Sequence, residues 1–441
     1  MLKRSNSNKV SRRQFLKRST GLGMALGGAG LVSALTGCVA PPPAQTQTGT
    51  APVQPATGGI ELTFWKPPHG ADADLFKPLL DEFVAQNPGY KVTHKVIPWG
   101  SVDEQFTAAF AGGNPPDIFY LPDEWYPKYV KQGQIADLSS IAAELESNYD
   151  PNVWVIGAYR GKQYGIPFLG VIHAILLNMT LFESAGLAIP QTWEEIRAAA
   201  KALTDPAKGT YGIQLTTWQT FTVPLLAAGG TQVLSDDLTK VAANTPGGVA
   251  AFETVFQKIG GEDKSSVPLG FTGDQANALA LEGKIGMMWR EQSGIKAVWR
   301  KQKPDIKLDV IPMPKIEGTQ GQPSVWTNVG FLFMAEGSKH KEDAPKLLKF
   351  LASKSVQEEY VIKGVDLMSP MKGVAPKDVD PVVAKFLSYL PMGSGTQVSV
   401  NWREVTVALQ QEAEAIWSGQ KTAKQALADF ETMINPILDG N

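Results

Sequence analysis

Carboxylates, histidines and indoles are the side chains of this 441-residue chain that could do chemistry. Asp123, Glu124 and Glu291 are the acids that could form a hydrolytic pair. Cleaving a glycosidic bond takes two such groups, one donating a proton and one ionised. Adjacent residues of a strand point to opposite faces, so Asp123 and Glu124 are expected to be held apart if a strand carries them. An extracellular hydrolase therefore stays as a lesser alternative. His69, His94, His173 and His340 are isolated, with no His-Glu-x-x-His or Cys-x-x-Cys spacing, so no metal or other cofactor is expected. No Walker-type phosphate loop and no Gly-x-Ser-x-Gly elbow occurs. The eleven tryptophans all follow Gly59. Each indole offers a flat apolar face and one N–H donor, whether it serves a ligand or the core.

The amino terminus addresses the chain. Ser11-Arg12-Arg13-Gln14-Phe15-Leu16-Lys17 precedes a Gly- and Ala-rich apolar run, as in a twin-arginine export signal. That run is too short and too weakly apolar for a stable membrane span. It ends in Leu35-Thr36-Gly37-Cys38, which resembles a lipoprotein cleavage box, with Cys38, the only cysteine, as the lipidation site. The chain is then expected to be exported and lipid-anchored at the outer face of a bacterial cell membrane. Residues 1–37 hold seven basic residues and no acid, so the remainder carries a net charge of −9. That balance argues against nucleic acid as a partner.

Residues 38–59, rich in Pro, Gln, Thr, Ala and Gly, read as a disordered tether. The 382 residues from Ile60 onward exceed what one core usually supports, so two lobes are expected. Short apolar runs at 61–65, 90–97 and 117–121 alternate with helical periods at 75–86 and 102–111. This rhythm implies parallel βαβ units and an α/β class. Thr192 followed by Glu195 predicts a capped helix reaching about Leu203. Strands are predicted at 211–215, 285–289, 308–311 and 328–335, and helices at 341–351 and 405–417.

Several segments stand in one recognisable order: Leu62-Thr63-Phe64-Trp65, Gly112-Gly113-Asn114-Pro115-Pro116-Asp117-Ile118, Tyr164-Gly165-Ile166-Pro167-Phe168, Leu181-Phe182-Glu183-Ser184-Ala185-Gly186-Leu187, Pro190-Gln191-Thr192-Trp193 and Gly283-Lys284-Ile285-Gly286-Met287. In this order the chain resembles the extracellular solute-binding proteins, family 1, of ABC transporters: the maltose-binding-protein-like group. The resemblance implies a two-lobe periplasmic-binding-protein-like fold of type II, with an interlobe cleft and crossing hinge strands. The lobes it implies are 60–171 with 315–369, and 172–314 with 370–441. It further implies a monomeric receptor, not an enzyme, that binds a carbohydrate and delivers it to ABC permease subunits. A receptor for a polyol phosphate or a peptide stays as the alternative. A sugar needs aromatic platforms for its C–H faces and planar polar groups for its hydroxyls. By the family's placement of such residues at strand ends and cleft loops, the implied contacts are Trp65, Lys66, His69, Asp123, Glu124, Trp125, Trp218, Trp289, Arg290, Glu291, Trp326, Asn328 and Trp402. Trp193, Trp417, Trp154 and Trp299 are assigned to the core.

Overall fold

A computed structural model describes residues 59–438, apart from 70–71, 376 and 398. The export signal with its arginine pair, Cys38 and most of the tether lie outside the described residues.

The chain opens with a βαβ unit. Strand β1 (Ile60–Lys66) pairs in parallel with β2 (Tyr90–Val96), and helix α1 (Asp72–Gln86) connects them. Helix α2 (Val102–Ala111) leads to β3 (Ile118–Pro122), which is buried along its whole length. Asp117 ties β3 to β1: its carboxylate accepts from the Thr63 amide at 2.8 Å and from the Thr63 hydroxyl at 2.9 Å. The Pro-Pro-Asp motif thus has a structural task before any other.

Strand β4 (Ile166–Asn178) runs for thirteen residues, all but His173 buried. Helix α3 (Trp193–Leu203) starts at Thr192, whose hydroxyl accepts from the Glu195 amide as anticipated. The Glu195 carboxylate reaches the Gln191 amide, one residue before the cap. Then follow β5 (Tyr211–Gln214), α4 (Gln219–Ala228), β6 (Ile285–Glu291), β7 (Leu308–Ile311) and β8 (Val325–Met334). The chain closes on α5 (Trp402–Trp417) and α6 (Ala423–Leu438).

Among the described residues, one mixed sheet runs in the order β2-β1-β3-β8-β4-β6-β5, with β7 also paired to β4. The long strands β4 and β8 serve two halves. Residues 330–334 of β8 pair with β3, whereas 326–329 pair along β4 and not with β3. Residues 173–177 of β4 pair with β6. Beside this crossing the Gly170 amide donates to the Met368 carbonyl at 2.8 Å, and the Gly170 carbonyl accepts from the Met368 amide at 3.1 Å. The register shifts between Gly330 and Phe331. Gly330 is required there, because a Cβ would stand 1.9 Å from the Tyr120 hydroxyl.

Packing follows the same division. In the first half, Leu62, Phe64, Phe76, Phe168, Leu332 and Tyr360 share one cluster, and Phe106, Phe119, Tyr129 and Phe333 share another. In the second half, Trp193, Phe221, Phe256, Met287, Leu409 and Phe430 form one cluster, and Leu176, Ile285, Val310 and Phe386 another. Ile316, Val325 and Trp326 pack with the second half, and Met371 and Val374 with the first.

Candidate ligand cleft

The end of β3 supplies an acidic corner. The strand stops at Pro122 and the next three residues form a turn. Strand alternation lapses there, so the expectation that Asp123 and Glu124 face opposite ways is corrected: they interact, and both are about 5 % exposed. Burial, then the adjoining Glu124, hold the Asp123 carboxyl well above the usual carboxylate range. Asp123 accepts from the Thr396 hydroxyl at 3.2 Å. Glu124 accepts from the Gln219 amide group at 2.6 Å and from that of Asn328 at 3.1 Å. One carboxylate thereby joins the β3 turn, helix α4 and strand β8.

Trp125 continues this corner. Its ring meets Trp99 edge-to-face at 6.2 Å and carries the Arg403 guanidinium 5.1 Å from its centroid. Arg403, on α5, also bonds Asp103, on α2, so an ion pair and a ring contact link the two halves.

The end of β1 supplies a basic corner. The Lys66 ammonium is buried among the rings of Phe76, Tyr120 and Tyr360, 5.2–5.7 Å from their centroids. It bonds the Pro67 carbonyl and His69 Nδ1, both at 2.8 Å. An ammonium has donors only, so His69 Nδ1 accepts and its proton sits on Nε2. Burial, then Lys66 and His173, hold the His69 pKa well below the usual imidazole value. Glu291, at the end of β6, has its pKa raised by burial, an effect opposed by Ser293, Arg290 and Lys66. The ends of β1 and β6, from opposite halves, are therefore electrostatic neighbours.

Trp289, Trp326 and Trp402 belong to one apolar cluster. Trp289 meets Phe221 edge-on at 5.4 Å and lies over His173 at 6.2 Å, and His173 is the β4 partner of Trp326. Nε1 of Trp125, Trp289, Trp326 and Trp402 is buried without a hydrogen-bond partner in the protein. The same holds for Gln219 Oε1, Asn328 Oδ1 and His173 Nδ1. Each such atom costs about 1–3 kcal/mol if left unpaired. Several gathered in one region need an explanation beyond packing.

Of the thirteen contacts expected from sequence, the structure does not bring all together. Trp65 packs edge-on to Phe106 at 5.8 Å and holds the Lys95 ammonium 4.0 Å over its ring. Trp218 begins α4 and is 40 % exposed. Arg290 turns to the Asn277 side chain at 2.5 Å and the Ser293 carbonyl at 3.4 Å. Lys66, His69 and Glu291 belong to the basic corner, Asp123, Glu124, Trp125 and Asn328 to the acidic one, and Trp289, Trp326 and Trp402 share one apolar cluster. Gln219, His173 and Thr396 join them unannounced. Gln219 adjoins a residue that sequence had marked, whereas His173 shows no motif at all.

Residues 68–358 match the family described as bacterial extracellular solute-binding protein. This chain belongs to that family. The diacetylchitobiose binding protein of Streptomyces coelicolor is 26 % identical over 302 residues, covering 67 % of this chain and 70 % of that one. An uncharacterized lipoprotein of Streptomyces antibioticus is 27 % identical over 323 residues, covering 69 % of each. An ABC substrate-binding protein from Listeria monocytogenes, solved with cycloalternan, superposes with a TM-score of 0.76 at 23 % identity, over 86 % of this chain and 99 % of that one. The halves joined by β4 and β8 are thus those of the two-lobe periplasmic-binding-protein fold. This solute-binding protein is of an exported kind, and its family binds solutes rather than transforming them.

Proposed function

We propose that this chain is the carbohydrate receptor of an ABC importer, holding its ligand between the two halves and passing it unreacted to permease subunits. The observation that carries the reading is the set of buried, unpartnered indole N–H groups, one of them on Trp125 in the Asp123–Glu124 turn. Rings stack on sugar C–H faces, and the N–H groups and acids serve hydroxyls. The saccharides named for the Streptomyces coelicolor and Listeria monocytogenes proteins support the same class. A phosphate ligand is disfavoured, because its charge would meet buried Asp123 and Glu124. We also propose a monomer, with the halves closing about β4, β8 and the Met368 segment. Twin-arginine export and a lipid on Cys38 would hold it near the permease and raise the local concentration of loaded receptor.

Tryptophan emission of the purified protein, followed during titration with mono- and oligosaccharides, tests the reading. A saturable change with the sugar recovered intact is expected. Product formation, or no response to any sugar, would overturn it. A Cys38→Ser variant should leave the membrane fraction if the anchor is correct.

A further inference from the structure

We propose that Asp123, Glu124, Gln219 and Asn328 form a subsite for a positively charged amino group, so that the preferred carbohydrate carries an amino sugar. The inference deepens the carbohydrate reading and rests on it.

Glu124 fixes the geometry. An ionised carboxylate only accepts hydrogen bonds, so the amides of Gln219 and Asn328 must each turn their NH₂ toward it. Their carbonyl oxygens are then left over. Gln219 Oε1 and Asn328 Oδ1 are both buried without a partner, and Gln219 as a whole is only 8 % exposed. Each oxygen is two bonds from the nitrogen that holds Glu124, so both stay beside the carboxylate. The polar side chains that bond the two acids have no donor to spare for these oxygens: Thr396 serves Asp123, and the two amides are spent on Glu124.

Burial and the adjoining Glu124 favour the protonated form of Asp123, so the two carboxyls share less than two negative charges, and the charge they do hold is buried and asks for a countercharge. The cations nearby are engaged elsewhere. Arg403 bonds Asp103 and lies on the Trp125 ring, Lys128 sits 3.7 Å from Asp103, and Lys66 holds His69. An ammonium brings three donors and one positive charge, matching the leftover acceptors and the excess negative charge together. A sugar hydroxyl brings one donor and no charge.

The test compares ligands that differ at one substituent. Purified protein is titrated calorimetrically at neutral pH with glucose and glucosamine, galactose and galactosamine, and the β-1,4 series cellobiose, diacetylchitobiose and free-amine chitobiose. The amine should bind at least about tenfold more tightly than its hydroxyl and acetamido counterparts, the scale of one charge-assisted contact. Glu124→Gln should erase that preference, read as the ratio of amine to hydroxyl affinity within each pair, whatever the change in the affinities themselves. If neutral sugars bind and their amines bind no more tightly, the amino subsite is refuted and the receptor reading survives. If nothing in the wider saccharide panel binds, the receptor reading fails and the subsite falls with it.

Discussion

Acidification should expose the burial of His173. This residue sits on β4, pairs across the sheet with Trp326 and Glu291, and lies over Trp289. Burial, then the positive charge of Arg290, push its pKa down to about 3 from the ordinary 6.5. Below pH 6.5 the unfolded chain takes up a proton that the folded protein refuses. Stability from this site is therefore complete above 6.5 and is lost progressively as pH falls toward about 3. One such site is worth up to about 1.4 kcal/mol per pH unit, so going from pH 6.5 to pH 5 removes about 2 kcal/mol. His69, also lowered, adds in the same direction. Asp123 and Glu291, both raised, act oppositely: the folded state holds their protons more firmly, and stability falls as pH rises through their window. The wild-type profile mixes these effects, so the informative quantity is the difference from His173→Gln. Urea unfolding of both proteins between pH 5 and pH 7 should show the wild type losing about 1–2 kcal/mol more than the variant on the acid side. Parallel profiles would refute the argument, because they would mean that His173 titrates alike in the folded and unfolded chains.

Trp289→Ala should weaken ligand binding by about 1–3 kcal/mol, the scale of a lost aromatic anchor, read by calorimetry on folded protein. Trp65→Ala should instead lower unfolding stability by about 1–3 kcal/mol through its lost contact with Phe106, with affinity little changed. Gly330→Ala should destabilise by about 1–3 kcal/mol, because the new methyl collides with the Tyr120 ring; a thermal melt measures it. Arg403→Ala should weaken binding by about 1 kcal/mol, with a smaller salt dependence than wild type, because the Asp103 pair across the halves is lost.

Local signals carried most of the α/β frame. The βαβ rhythm from β1 to β3 and the Thr192 cap depend on neighbours a few residues apart, and both stand where the period placed them. Helix α4 was not visible because burial on nearly every side leaves it no polar face, and Pro224 interrupts its interior. Strand β8 begins at Val325 rather than Asn328, since the partner that extends it, β4, is remote in sequence. In the site, alternation along β1 says that Trp65 and Lys66 point oppositely but not which of them faces the cleft. That choice depends on which faces the helices cover. Asp123 and Glu124 would be held apart only on a continuing strand, and a strand that ends at Pro122 leaves no periodic trace of how the turn brings them together. His173 and Gln219 gain their roles only when β6 and the β3 turn arrive from elsewhere in the chain.

The place of β8 has a bearing on how this polypeptide is made. It slots between β3 and β4, yet it is synthesised long after both. Until it arrives, two apolar strand edges lie open, which slows completion and invites self-association. Chains truncated before Val325 should therefore precipitate rather than yield a usable half-protein. In the cell, the nascent product needs shelter from its own kind until nearly three-quarters of it has been translated.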